Sequence, residues 1–181
     1  LKQHGVHFLP LFNDISKHCF GPLLQQNVPD VLKWAGICAY DDVLEHCGPG
    51  AVVHLETCMM PMLECSQSQN ALLRQAAVYG VRVVAEQCPQ QFAQFVAPVL
   101  AVLMTLIRAN DAKEGDNLGA TENAICALGT ICTLYGGKHP NVNLDQILPH
   151  FVAQLPIKED EECAQISHEH LCAFVEQGQN G

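Results

Sequence analysis

Ten cysteines in 181 residues are the first side chains that could do chemistry. They are Cys19, Cys38, Cys47, Cys58, Cys65, Cys88, Cys126, Cys132, Cys163 and Cys172, and no two form a CxxC pair. Zinc sites use tightly spaced Cys and His, and dithiol redox chemistry uses CxxC near a strand. The spacing here favours free thiols packed as small apolar side chains, over disulfides or a metal site. Such usage implies a reducing compartment, cytosol or nucleus. His46-Cys47 and His168-x-His170 are the other metal candidates. Helical neighbours sit about 100° apart around the axis, and residues two apart diverge, so neither pair shares an ion easily. They read as packed or surface residues, with no metal and no cofactor.

Asp41, Asp42 and Glu45 form the densest carboxylate group on one helix. Three readings are open: an acid–base pair, an acidic platform for a basic partner, or a solvated face pairing with Arg82. No nucleophile accompanies them, which disfavours catalysis. Trp34, upstream on the same helix, offers a ring to a basic side chain. Met59, Met60 and Met62 surround Pro61 and read as core filling rather than an adaptable binding surface. Gly136-Gly137-Lys138 lacks the spacing of a phosphate-binding loop and reads as a helix stop. Glu159 to Glu162 make an acidic helix start, which suits the N-terminal dipole.

The elements that must position these groups are helical. Hydrophobic residues make up 49% of the chain and charged residues 15%, enough apolar content to exclude wholesale disorder. Nine Lys and Arg against 19 Asp and Glu give a net charge of −10, which argues against a binder of phosphate backbones. The longest nearly apolar run, Phe95 to Ile107, has 13 residues and a proline, too short to span a bilayer. No signal peptide is evident. The chain starts at Leu1 and stops in Gln179-Asn180-Gly181 just after a helical pattern, so both ends read as cuts from a longer protein.

Helical periodicity runs nearly everywhere, and no stretch alternates as a strand. Ile37, Tyr40, Leu44 and Cys47 share one face, as do Leu73, Ala77, Gly80 and Val84. Proline and glycine clusters punctuate the helices, and Asp30, Ser68 and Asn117 are candidate N-caps. Four helices carry a proline in a similar local pattern, at Pro10, Pro61, Pro98 and Pro149, which suggests one bent helix reused. Each is followed by a proline-free helix. Arg74, Ala77, Val81 and Arg82 align with Thr121, Ala124, Leu128 and Gly129 at an offset of 47. The same frame gives Lys33, Gly36, Tyr40 and Asp41 at 41 upstream, and Asp160, Cys163, Ser167 and His168 at 39 downstream of its nearest neighbour. Periods of this length belong to HEAT and armadillo repeats, whose helix pairs bury their apolar faces by stacking. The expected fold is all-α: a HEAT-repeat (armadillo-like) superhelical solenoid of about four helix pairs, with approximate repeats 1–48, 49–88, 89–137 and 138–178.

A more polar stripe runs along each second helix. It holds Trp34, Cys38, Asp41 and Glu45 with Asp42 beside them, then Gln75, Tyr79, Arg82 and Glu86. The later helices contribute Glu122, Cys126, Gly129 and Thr133, and last Glu161, Gln165, His168 and Cys172. In a stacked array these stripes align into one ladder suited to a peptide or protein partner. The candidate binding residues are Trp34, Asp41, Asp42, Glu45, Gln75, Tyr79, Glu86 and Glu122.

The run from Ile37 through Asp41-Asp42 to Cys47-Gly48-Pro49 resembles a segment of the importin-β (karyopherin-β) family of nuclear transport receptors. It is most similar to the large importins that carry ribosomal proteins and histones. Leu73 to Gly80, Ala120 to Asn123, and Leu148 to Pro156 with Glu159 to Glu162 match in family order over nearly the whole chain. Arg82 departs from the pattern, where a small residue is usual. The resemblance implies a C-terminal HEAT-repeat fragment that binds basic cargo proteins on a concave surface of second helices. It also implies nucleoporin Phe-Gly repeats as partners, and Ran-GTP as a partner of the full-length receptor but not of this segment. The expected activity is nucleocytoplasmic import without catalysis, in cytoplasm and nucleus, with no nucleic-acid or membrane partner. A HEAT scaffold or adaptor of another complex is the alternative, followed by a small enzyme or metal protein.

Overall fold

The computed structural model describes residues 4–179, except the side chains of Gln177 and Gln179; Leu1 to Gln3 and Asn180-Gly181 lie outside the described residues. No strand occurs among the described residues, and the fold is of the all-α HEAT-repeat class. The described residues form two compact units, divided between Gln91 and Phe92.

In the first unit, α1 (Gly5–Ile15) runs into a π-helical turn, Ser16–Phe20, and a 3₁₀ turn, Gly21–Leu24. Helix α2 (Asp30–His46) follows, then a 3₁₀ segment Pro49–His54, α3 (Leu55–Cys65) and α4 (Ala71–Gln87). Helices α2 and α3 both pack on α4. The periodicity explains the packing: Ile37, Tyr40 and Leu44 of α2 and Cys47 just past its end are buried, as are Leu73, Ala77, Gly80 and Val84 of α4. Phe12 anchors α1, with its ring stacked 5.3 Å from Phe20 and edge-on to Tyr40 at 5.4 Å and His54 at 4.9 Å. Such aromatic pairs add about 0.5–1.5 kcal/mol beyond burial.

His54 is buried and shares a 2.7 Å hydrogen bond with Asn13 Oδ1, which fixes the ring as a donor through Nε2. Burial lowers its pKa from the ordinary 6.5. The unfolded chain therefore takes up the proton first on acidification, and the stability held by neutral His54 is complete above about pH 6.5 and lost as pH falls. Denaturant titrations between pH 7 and pH 5 are expected to show a falling midpoint, with the His54-dependent part absent in His54→Gln.

The boundary falls within α5 (Pro89–Phe92), and the second unit continues through a 3₁₀ turn (Ala93–Phe95) into α6 (Val96–Arg108), followed by α7 (Asn117–Tyr135), α8 (Leu144–Val152) and α9 (Glu161–Gln179). Helices α6, α8 and α9 pack against α7. Every residue of α7 from Ala120 to Cys132 is buried, so its pattern is apolar around most of the axis. Gly129 permits the close approach of α8: a Cβ there would meet the Phe151 ring at 2.8 Å.

Four sequence expectations change, three at helix ends and one at a proline. The α4 cap is Asn70, whose Oδ1 accepts from the N–H groups of Leu72 and Leu73 at 3.1 and 3.2 Å, while Ser68 accepts from the Asn70 N–H. Asp30 and Asn117 are the first helical residues rather than caps, because Pro29 and Asp116 precede them as the half-in positions. Pro10, Pro61 and Pro149 sit inside helices, but Pro98 occupies the first turn of α6, where a missing N–H costs little.

The apolar stretch that includes α6 is also longer than expected. Pro89–Arg108 forms a 20-residue helical run of mean hydropathy 1.6, sufficient in length and composition to cross a bilayer. Its buried residues Val96, Val99, Leu100, Leu103 and Ile107 recur at helical spacing, the pattern of a helix laid on a core, and α6 packs on α7.

Candidate protein-binding face

Helix packing in the first unit brings the stripes of α2 and α4 together. Tyr79 donates its hydroxyl to Glu45 Oε2 at 2.6 Å, bridging the two helices. The Arg82 guanidinium lies 4.9 Å from the Tyr79 ring centre and donates to both Glu86 oxygens, at 3.0 and 3.2 Å. Arg82 thus offsets Glu86 of its own helix. Asp42 is exposed, Glu45, Gln75, Tyr79 and Glu86 are partly exposed, and Trp34 is 43% exposed. The face carries the Trp34 ring, the Tyr79 phenol and the carboxylates of Asp42 and Glu45, with His46 Nε2 3.7 Å from Glu45 Oε2. Such groups can hold a basic side chain by charge and by the ring face.

Two of the eight expected residues do not belong to a surface. Asp41 is 4% exposed, and its Oδ1 has no hydrogen-bond partner among the described residues. It lies against α4 at Gly80, where the missing side chain makes room, with Met62 Cε beside it. Burial, then Asp42 and Glu45, push its carboxyl well above the usual carboxylate range. Glu122 is also 4% exposed. Its Oε1 accepts from the N–H groups of Lys158 and Glu159 at 3.1 and 3.3 Å, and its Oε2 from that of Asp160 at 2.8 Å. Asp160 in turn caps α9 by accepting from the Cys163 N–H at 2.9 Å. Glu122 is a structural clamp of the second unit, and Asp41 a buried acid of the first. The physical reason is shared: the i, i+4, i+7 stripe borders the buried face, and packing decides which side each member joins.

The stripe is therefore not continuously polar. Cys126 and Gly129 are buried, while Glu161, Gln165, His168 and Cys172 are exposed on α9. All ten cysteines are free thiols; seven are buried, Cys38 is half-buried, and Cys19 and Cys172 are exposed. Burial pushes Cys38 up to about 11 and Cys132 up to about 12, so neither is a thiolate at neutral pH. No group of three His, Cys, Asp or Glu side chains suited to a metal occurs among the described residues.

Sequence reasoning missed several polar pairs with no local signature. His170 bridges two α7 hydroxyls, Thr130 at 3.1 Å and Thr133 at 2.9 Å, across a separation of about 40 residues. Arg108 reaches His150 Nε2 in the same way, over 42 residues.

No family model matches the chain. Importin subunit beta-3 of Saccharomyces cerevisiae is 27% identical over 176 residues, covering 97% of this chain and 16% of that protein. A probable importin-5 homolog of Dictyostelium discoideum is 30% identical over 157 residues, covering 84% and 14%. Crystal structures of Kap121p share the fold. The RanGTP complex gives a TM-score of 0.81 at 23% identity over 95% of this chain and 16% of that one. The Nup53p complex gives 0.76 at 25% identity over 91% and 15%. The chain spans about one sixth of the length of these relatives. With ordered sequence motifs, paired helices and both kinds of likeness in agreement, the chain belongs to the importin-β family and corresponds to a segment of its receptors.

Proposed function

We propose that this chain is part of a nuclear transport receptor and contributes a docking face for basic protein cargo on α2 and α4. The face comprises Trp34, Asp42, Glu45, Gln75, Tyr79 and Glu86. The observation that carries the reading is the Tyr79–Glu45 bridge, which holds two neighbouring stripes in one register beside the exposed Asp42 carboxylate. Kap121p has been crystallised with Ste12p, Pho4p, Nup53p and RanGTP, which supports protein cargo, nucleoporins and Ran as partners of the whole receptor and shuttling between cytoplasm and nucleus as its setting. The four helix pairs are read as four repeats of its array, and binding rather than catalysis as their task.

The charge balance supports a salt-sensitive attraction, since exposed carboxylates act over about 8–10 Å at physiological ionic strength. A labelled lysine-rich peptide is expected to bind the 181-residue chain, and to bind about tenfold more weakly when salt is raised from 50 to 300 mM (on the order of 1.4 kcal/mol). Asp42→Lys/Glu45→Lys is expected to remove the salt-dependent part. Equal binding by this variant and the parent chain contradicts the proposed face.

A further inference from the structure

The first unit holds an opening of about 600 Å³ between the end of α1, the π-helical turn, the following 3₁₀ turn, α2 and the start of α3. Its charge is the reverse of the molecule's. No Asp or Glu lines it, although the chain has 19 acids against 9 Lys and Arg. Lys17 is exposed at its wall and makes no ion pair among the described residues. His54, also lining, has its Nε2 committed to Asn13, and burial keeps the ring neutral. Lys17 is therefore the lone formal charge on the lining, which also includes Tyr40 and Thr57, with Pro22 and Val53 as apolar surface. Asp14 and Glu56, the nearest acids in sequence, lie outside the lining.

Two further features agree. Ser16 and Lys17 open the Ser16–Phe20 π-helical turn, a rare geometry that concentrates at functional sites. Gly21 keeps the wall thin: a Cβ there would come within 3.5 Å of Tyr40 Oη and 3.7 Å of Thr57 Cγ2. The volume falls in the range of sites that take small ligands, roughly 300–1,000 Å³.

We propose that this opening binds an acidic peptide segment of a partner protein, with a carboxylate paired to Lys17 beside Thr57, and an aliphatic side chain against Pro22 and Val53. The site is separate in residues and opposite in sign to the face proposed for basic cargo, so each can fail without the other.

Fluorescence anisotropy with labelled Gly-Glu-Leu-Glu-Gly and Gly-Gln-Leu-Gln-Gly tests it on the 181-residue chain. The glutamate peptide is expected to bind at least about tenfold tighter than the glutamine peptide. Lys17→Glu and Thr57→Glu, both at exposed positions on separate elements, are each expected to weaken it about tenfold with unchanged far-UV circular dichroism. Asp42→Lys/Glu45→Lys is expected to leave it intact. Equal affinity for the two peptides, or an unchanged affinity in either the Lys17 or the Thr57 variant, overturns the proposal.

Discussion

Glu122→Ala is expected to destabilise the chain by about 3–4 kcal/mol, more than any surface substitution. Hydrogen bonds to a charged group contribute about 1.5–3 kcal/mol each, and the three made by this carboxylate share one buried anchor, so their sum is not additive. Removal strands the N–H groups of Lys158, Glu159 and Asp160 and releases the residue that caps α9. Glu122→Gln keeps one oxygen acceptor and is expected to lose roughly half as much. Denaturant midpoints at constant m-value measure the loss, and hydrogen exchange locates it: protection should fall first at 158–160 and in the first turn of α9. A surface-like change within about 0.5 kcal/mol contradicts the clamp.

Gly80→Ala is expected to destabilise by about 1–3 kcal/mol, the reverse of the usual helical substitution, which gains about 1 kcal/mol. The new Cβ would run into Asp41 Oδ1 and come within 3.0 Å of Met62 Cε. Asp41→Ala in the same chain removes the obstruction, so the double variant should be more stable than Gly80→Ala alone, with a coupling energy well above the error of the cycle. Asp41 also has a pH signature. Its folded pKa lies well above 3.8, so any stability it contributes is complete below that value and lost as pH rises toward the folded one. Asp41→Asn is therefore expected to gain stability relative to the parent between acid and neutral pH. This runs opposite in sign to the His54 dependence, which allows the two to be separated.

Helix identity and the buried faces were legible because the 3.6-residue period needs only local information. The framed positions Gly36, Ala77, Ala124 and Cys163 are all buried, and so are Tyr40, Val81, Leu128 and Ser167 one turn on. The polar stripe was only half legible. Trp34 and Asp42 are exposed as the pattern implies, but Asp41 and Glu122 turn inward because α4 and the Lys158–Asp160 segment lie against them. Position on a helix wheel fixes direction, and only the neighbouring element decides whether water or protein waits there. One signal for Glu122 was present. It is the lone charged residue of the 19-residue α7, and a single charge in an apolar helix is more often a buried anchor than a surface contact. Nothing comparable marked Asp41, which sits among Asp42 and Glu45 as an ordinary acidic cluster does.

Trp34 is the one tryptophan in the sequence and stands half-exposed at the proposed cargo face, so its fluorescence reports on the central claim directly. Titration of the 181-residue chain with an unlabelled lysine-rich peptide is expected to give a saturable change in Trp34 emission that weakens with salt and disappears in Asp42→Lys/Glu45→Lys. A peptide that binds with no change at Trp34, or with the same change in the charge-reversed chain, would place cargo elsewhere and contradict the α2–α4 face.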